Sequence, residues 1–377
     1  MGDMNIDCTR AVHYHTGDFP PRPLDYSRLM PSLLAATDAL ARYDQTLQNI
    51  HNSEIFLAPL RSQEAVISSR MEGTISTLDE ILELEAEQDG NETGATGLYR
   101  SDVVETALYR RALNTAQAQL EDGYPLSEGL IRSIHQQLLS FGRGAEKSPG
   151  QYKTKQNYVG ERGSREARFV PATPEQLVSG VQTLFAFIAS DDVPLLLRTA
   201  LAHAEFEALH PFKDGNGRVG RMLITLMLWH GGAISAPHFY VSRYFEEQKD
   251  EYVARLREVS ASGHWEEWCC FFLDAVREQA RRNTDVARSI RDHYEEMKVR
   301  FADVLGSRYS VLALDYLFTW PVFRNSHFTQ SAGIPRQTAA RFTRVLLEEG
   351  LLQPVREAAG RRSAVYRFES LMRLVRV

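Results

Sequence analysis

Apolar residues recur along most of this chain at alternating spacings of three and four, the period of helices that bury one face. Leu33, Ala36, Leu40, Tyr43, Leu47 and Ile50 form the first such stripe and predict a core helix. It follows a polar lead-in over residues 1–24 that closes on Pro20, Pro21 and Pro23. A second helix is expected from about Leu60 to Glu72, with Gly73 at the break. A third begins at Thr77, where Thr77 and Glu80 make a capping-box pattern, and runs to about Glu87. Residues 88–97 (QDGNETGATG) read as a flexible connection. The helical pattern returns over 102–139, and again from Pro174 to about Arg300.

Between those stretches, residues 150–171 change character. Tyr152, Thr154, Gln156 and Tyr158 alternate with a period of two and predict one arm of a β-hairpin, turned at the glycine-containing GERGSR. Past His327 the pattern predicts a short helix, a turn at residues 333–335, a longer helix from Arg336 to Glu349 closed by Gly350, and two strands around Gly360. That order outlines a winged helix-turn-helix. The fold class expected is mainly α, in three modules: 1–97, an N-terminal helical module; 98–290, a helical core; and 291–377, the winged helix-turn-helix.

Composition narrows the function classes. With 377 residues, 43% of them hydrophobic, the chain exceeds a single small domain. A net charge of -6 excludes a wholly basic nucleic-acid wrapper. Charge is unevenly spread: from Trp320 onward ten arginines face four glutamates with no lysine or aspartate, so this part carries +6 and the remainder -12. Such a separation permits DNA contact through Arg336, Gln337, Arg341 and Arg344; a domain used for dimerisation or target recruitment is the equal alternative. Three cysteines, Cys8 and the adjacent Cys269 and Cys270, offer no disulfide framework. The N-terminus carries Asp3 and Asp7 where a signal peptide needs an apolar core, and Ile6 where a myristoylation signal needs Ser or Thr. The strongest apolar run, 222–229, is less than half the roughly 20 residues that cross a bilayer. A cytoplasmic protein with no membrane partner is expected.

The chemistry concentrates in residues 208–229, ALHPFKDGNGRVGRMLITLMLW. Gly215, Asn216 and Gly217 allow successive backbone amides to point into one concavity at the start of the next helix, a site suited to phosphate oxygens. Arg218 and Arg221, three apart, share a helix face and add two charged forks. Two arginines at the positive end of a helix are unfavourable until an anion joins them. Asp214 would repel phosphate unless a divalent cation stood between, which implies Mg²⁺. His210, with an ordinary pKa near 6.5, can take a proton from an attacking hydroxyl. An ordinary helix-helix loop accounts for each residue singly, but not for base, metal ligand, anion nest and paired arginines within twelve positions.

His210 to Arg221, HPFKDGNGRVGR, resembles the signature HxFx(D/E)GNGRxxR of the Fic (Fido) family, and every signature position is present. Typical members transfer AMP from ATP to a protein hydroxyl. The resemblance implies a Fic-type helical core with His210 as general base, Phe212 as core anchor, and Asp214 as Mg²⁺ ligand. Gly215, Asn216 and Gly217 would form the anion hole, with Arg218 and Arg221 holding the phosphates. It also implies a β-hairpin flap at 150–171 that docks the target by strand pairing, with Lys153 where many relatives have Arg and Pro171-Ala172 where Pro-Pro is usual. Gln248 and Tyr252, four apart on a predicted helix, fall where the family places part of its adenine pocket.

Upstream, ISSRMEGT places Ser68 and Glu72 four apart, followed by Gly73, and resembles the family's inhibitory motif (S/T)xxxE(G/N). The resemblance implies that Glu72 pairs with Arg221 and keeps ATP from its productive pose. The function expected is therefore a protein adenylyltransferase, using ATP and Mg²⁺ on a Ser, Thr or Tyr hydroxyl of a target protein or of itself and restrained by Glu72. Two alternatives stay open: a DNA-binding transcriptional regulator with a nucleotide-sensing core, and a hydrolase that removes AMP from a modified protein. A homodimer is compatible with either.

Overall fold

The computed structural model describes residues 6–21, 23–49, 54–88, 99–161, 163–359 and 363–376. The connection expected over 88–97 lies, from residue 89 onward, outside them. Among the described residues the order is β1 (Val12–His13), α1 (Tyr26–Gln48), α2 (Glu54–Met71), α3 (Leu78–Gln88), α4 (Ser101–Glu121), α5 (Glu128–Leu138), β2 (Phe169–Val170), α6 (Pro174–Ala189), α7 (Leu195–Leu209) and α8 (Asn216–His230). There follow α9 (Ser242–Glu247), α10 (Lys249–Ser262), α11 (Trp265–Leu305), α12 (Ser310–Thr319), β3 (Val322–Arg324), α13 (Asn325–Ser331), α14 (Arg336–Glu348), β4 (Gln353–Arg356), β5 (Val365–Arg367) and α15 (Glu369–Val375). The mainly α class is as expected. No helix among the described residues is long and apolar enough to cross a membrane.

Packing gathers the chain into two units, each discontinuous in sequence: Met1–Arg42 with Arg111–Arg281, and Tyr43–Arg110 with Arg282–Val377. The boundaries fall inside α1, α4 and α11. Division by packing thus follows different lines from division by motif at 97 and 290, because long helices carry the chain from one core to the other without a linker.

In the first unit, α7 and α8 form the centre. Every residue of α8 from Arg218 to Leu228 is buried, as the uncharged run 222–229 predicts. The two helices approach closely at Gly220, where a Cβ would come within 2.4 Å of Glu207 Oε1; a larger residue there would push the pair apart. The N-terminal lead-in is tied to this centre. β1 pairs in parallel with β2, Val12 opposite Phe169, and buried Glu205 of α7 accepts hydrogen bonds from Tyr14 Oη and pairs with His15 Nε2, both at 2.8 Å.

The expected hairpin is present in reduced form, and its arm over 152–158 is not a strand. Among the described residues only Val159 pairs across, antiparallel with Phe169, through two hydrogen bonds of 3.0 Å. In place of a ladder, Lys153 and Asn157 donate to carbonyls of the loop after α7, and Gln156 Nε2 donates to Pro171 O.

In the second unit, Thr77 caps α3 as predicted: its Oγ1 accepts from Glu80 N at 3.2 Å, and Glu80 Oε2 accepts from Thr77 N at 2.9 Å. Val66 of α2 packs with Ile81 and Leu84 of α3 and Val103, Val104 and Ala107 of α4. α2 stops at Met71, one residue short of the expected end, leaving Glu72 exposed in the turn before Gly73, whose φ is +82°. Toward the C-terminus, α12, β3, α13, α14, β4 and β5 follow one another with a three-stranded sheet ordered β3-β5-β4. α13, α14, β4 and β5 fall where the short helix, the longer helix and the two strands are expected, while α12 and β3 are not anticipated. Phe318, Phe323, Phe328, Phe342 and Phe368 fill their core together with Leu78 and Leu82 of α3.

Candidate active site

The loop between α7 and α8, together with the first two turns of α8, carries most of the predicted site residues, and the loop's conformation is set by glycine, asparagine and two histidines. α7 ends when His210 turns into the left-handed region, φ +46° and ψ +60°, a conformation uncommon for a residue with a side chain. Gly215 holds φ +78° immediately before α8, which favours glycine there. Asn216 locks the turn between: Oδ1 accepts from Phe212 N and Nδ2 donates to Phe212 O, both at 2.8 Å. Its side chain is therefore spent on shaping the loop, and only its backbone amide is left to serve an anion. Phe212 is fully buried, the anchor expected.

With Gly215 at the cap and no side chain accepting there, the first-turn amides of α8 at 216–218 point out of the helix end without intrahelical partners. Arg218 lies beside them with a side chain 5% exposed. Its Nε and Nη1 are buried and have no hydrogen-bond partner among the described residues; its nearest acid, Asp214, stands 3.6 Å from Nη2. A buried guanidinium left with two idle donors is costly, on the order of 1–3 kcal/mol per unmet group, and an anion would remove that penalty. Arg221, one turn on, is 3% exposed. The start of α8 thus sets three first-turn amides beside two buried arginines, an arrangement whose chemistry suits an anion.

His210 lies at the other rim, partly exposed, with Nδ1 3.3 Å from Glu207 O. When Nδ1–H donates to that carbonyl, the basic lone pair resides on Nε2, the atom a general base needs. Asp214 has a side chain 43% exposed and only the loose contact to Arg218. One accessible carboxylate beside an anion nest fits Mg²⁺, which takes one or two protein carboxylates and completes its shell with phosphate oxygens and water.

Two histidines that sequence reasoning passed over brace the surroundings of the site, His135 at this loop and His203 between α7, α8 and α10. His135 of α5 is fully buried and stacks on Phe212, ring centroids 3.7 Å apart and nearly parallel. Its Nδ1 accepts from Gly150 N at 2.8 Å, which puts the proton on Nε2, and Nε2 then donates to Asp214 O at 3.0 Å. Burial pushes its pKa down to about 4, so it stays neutral. His203 of α7 is buried too; Nδ1 meets Gly220 O at 3.1 Å and Nε2 meets Tyr252 Oη at 2.9 Å. Burial, and after it the Arg221 charge, lower its pKa to about 3. The signal available was a histidine on an apolar helical stripe, shared by Ile131, Ile134 and Leu138, which by itself reads only as core.

The remaining candidates are placed as follows. Gln248 precedes α10 rather than riding on it, is exposed, and accepts from Tyr252 N at 2.9 Å. Tyr252 is 6% exposed and stacks on Phe245 at 4.5 Å, so it belongs to an aromatic core whose polar edge touches His203. Ser68 is fully buried on α2, in the second unit with Glu72.

Comparison with known proteins accords with this geometry. The Fic/DOC family matches residues 125–228, and the Fic/DOC N-terminal family matches residues 30–118. A probable protein adenylyltransferase of Aquifex aeolicus is 26% identical over 207 residues, 55% of this chain and 57% of that protein. The protein adenylyltransferase fic-1 of Caenorhabditis elegans is 31% identical over 106 residues, 27% of this chain. The chain spans about half the length of the first relative and 19% of the second. Among solved structures, a Fic family protein from Desulfovibrio desulfuricans superposes with a TM-score of 0.58 at 18% identity, covering 93% of this chain and 98% of that one, which shows a shared fold. The chain belongs to the Fic/DOC family.

Proposed function

We propose that this chain is a protein adenylyltransferase, moving AMP from ATP to a hydroxyl side chain of a target protein or of itself. The observation that carries the reading is Arg218, buried with two idle donors next to the open N-terminus of α8. A phosphate group suits a helix end and the Arg218 guanidinium together, with Arg221 one turn on. The Aquifex aeolicus relative is named a probable protein adenylyltransferase and the Caenorhabditis elegans one a protein adenylyltransferase, and the full signature in this chain supports carrying that chemistry over.

In this reading the target hydroxyl gives its proton to His210 Nε2 and attacks the α-phosphorus in line, forming the new P–O bond as the bond to pyrophosphate breaks. The amides of 216–218, Arg218 and Arg221 stabilise charge that grows on the phosphate oxygens. Asp214 would hold Mg²⁺, which offsets charge between phosphates. Gln248, exposed before α10, is the proposed adenine-side contact, with Tyr252 supporting from the aromatic stack.

Glu72 is the proposed brake, by competition for Arg221. Its support is local: α2 presents Ser68 inward, and Glu72 and Gly73 form the turn at its end, Glu72 N and Gly73 N donating to Ser69 O and Arg70 O. Every 1.4 kcal/mol by which the carboxylate is preferred over a phosphate oxygen lowers productive ATP about tenfold. The test incubates wild type and Glu72→Gly with labelled ATP and Mg²⁺, and assays release from labelled protein in parallel. Labelling that rises about tenfold or more in the variant is expected. Equal labelling removes the brake; no labelling of either, or net release, removes the transferase reading.

A second reading concerns the C-terminal elements. Arg336, Gln337, Ala340 and Arg344 make one exposed face of α14, the helix that follows the turn, and no acid interrupts it until Glu348. That face suits DNA phosphates and base edges, and would make the enzyme's location or activity depend on duplex binding.

A further inference from the structure

The loop bearing His210 is gripped along its carbonyls by residues of the segment read as a hairpin arm. Leu209 O accepts from Lys153 Nζ at 3.0 Å, and His210 O from Asn157 Nδ2 at 3.1 Å. Pro211 O accepts from Lys153 N at 2.8 Å, and Phe212 O from Asn157 Nδ2 at 3.0 Å. Four consecutive carbonyls are thus held by two residues. The pair is itself linked, Lys153 Nζ donating to Asn157 Oδ1 at 2.8 Å, which fixes the amide so that its NH₂ faces the loop. Lys153 is 3% exposed.

This grip falls on the strained part of the backbone. A non-glycine residue in the left-handed region costs on the order of 1–3 kcal/mol and persists only when its surroundings over-determine it. His210, at φ +46°, is such a residue, and its own carbonyl and both neighbouring carbonyls are among the four. The buried ammonium is also unusual: its partners are neutral oxygens, and burial brings its pKa down to about 7. A lysine that serves only as packing needs neither the burial nor two oriented acceptors for its ammonium.

We propose that Lys153 and Asn157 are positioning residues that hold His210 in the left-handed turn from which its imidazole can reach the target hydroxyl. Because they lie on the segment leading to Val159, which the family's flap would use to dock a target, the same two residues connect target docking to base placement. The activity part rests on the transferase reading above; the grip does not.

The test uses the full chain carrying Glu72→Gly, with Asn157→Asp or Lys153→Met added, and Lys153→Arg as the conservative variant. Asn157→Asp keeps the volume and the acceptor for Lys153 but removes both N–H donors. The expected result is a fall in kcat for AMP transfer of about tenfold to a hundredfold, with the KM for ATP within about threefold, since Arg218, Arg221 and the α8 amides lie outside the grip. Lys153→Arg should recover most of the rate. Hydrogen exchange of the peptide over residues 207–217 should accelerate about tenfold in Asn157→Asp, whether or not the parent transfers AMP. Unchanged exchange overturns the grip. Accelerated exchange with kcat unchanged, or with KM rising as much as kcat falls, overturns the positioning role. A parent that transfers no AMP while exchange accelerates refutes the transferase reading and the base placement together, leaving the grip as structure.

Discussion

Arginines in two regions of this molecule meet opposite surroundings. Arg218, at the start of α8, is 5% exposed and keeps two donors without partners among the described residues. Arg344, on α14, is 71% exposed and stands 3.9 Å from Glu348. The exposed residue is solvated, so it adds almost nothing to stability and little to any one contact. The buried one destabilises the free protein and is tolerable where a ligand completes it. A pair of arginines in a sequence says only that anions are welcome; burial separates a site that requires its anion from a surface that merely attracts one.

The contrast can be broken most severely at the residue that turns binding into chemistry. His210→Ala should lower AMP transfer by about a thousandfold, within the range general bases contribute, while ATP affinity stays within about twofold. Equal transfer by the two proteins in the labelled-ATP assay would show that another group takes the proton.

The rigidity beneath the nest is the next target. His135 is neutral in the fold, its pKa near 4, whereas an unfolded histidine titrates near 6.5. Its contribution is complete above pH 6.5 and drains away as pH falls from 6.5 toward 4, because the unfolded chain takes the proton first. The full window corresponds to about 3 kcal/mol. Urea midpoints measured between pH 7 and 4 should fall more steeply for wild type than for His135→Gln; parallel curves would place the acid sensitivity elsewhere.

Arg218→Met should leave the thermal midpoint of the nucleotide-free protein unchanged or raise it by the equivalent of about 1 kcal/mol, since it deletes unmet donors. A drop of several degrees would mean that Arg218 already has structural partners. At the exposed end of the comparison, Arg344→Ala should alter stability by less than about 0.5 kcal/mol. If the α14 face binds DNA, it should reduce the salt slope of duplex affinity by about one. An unaltered slope would argue for recruitment or dimerisation through that module.

The site was legible where local residue chemistry decides the backbone. Gly215 takes the left-handed turn that GNG predicts, Phe212 is buried, Thr77 caps α3, and α14 begins at Arg336 as the pattern around Pro335 indicates. It was illegible where distant chain segments decide. His135 lies 79 residues from the Asp214 carbonyl it supports, and nothing near His135 announces that partner. Alternation over 152–158 predicts a strand arm, but the segment bends at Thr154 and Lys155, and Lys153 and Asn157 turn to a loop more than 50 residues away instead of joining a ladder. The parallel pairing of Val12 with Phe169 is of the same kind. The Asn216 side chain shapes Phe212's backbone, a role that spacing does not distinguish from the anion-hole role inferred for the residue's amide.

Calorimetric titration of Mg²⁺-ATP into Glu72→Gly and into Glu72→Gly with Arg218→Met tests the nest most directly. The nest as described predicts binding by the first protein and an affinity about a hundredfold lower in the second, the loss of charge-assisted hydrogen bonds worth about 3 kcal/mol. Equal affinities, or no binding by a folded Glu72→Gly protein, would contradict it.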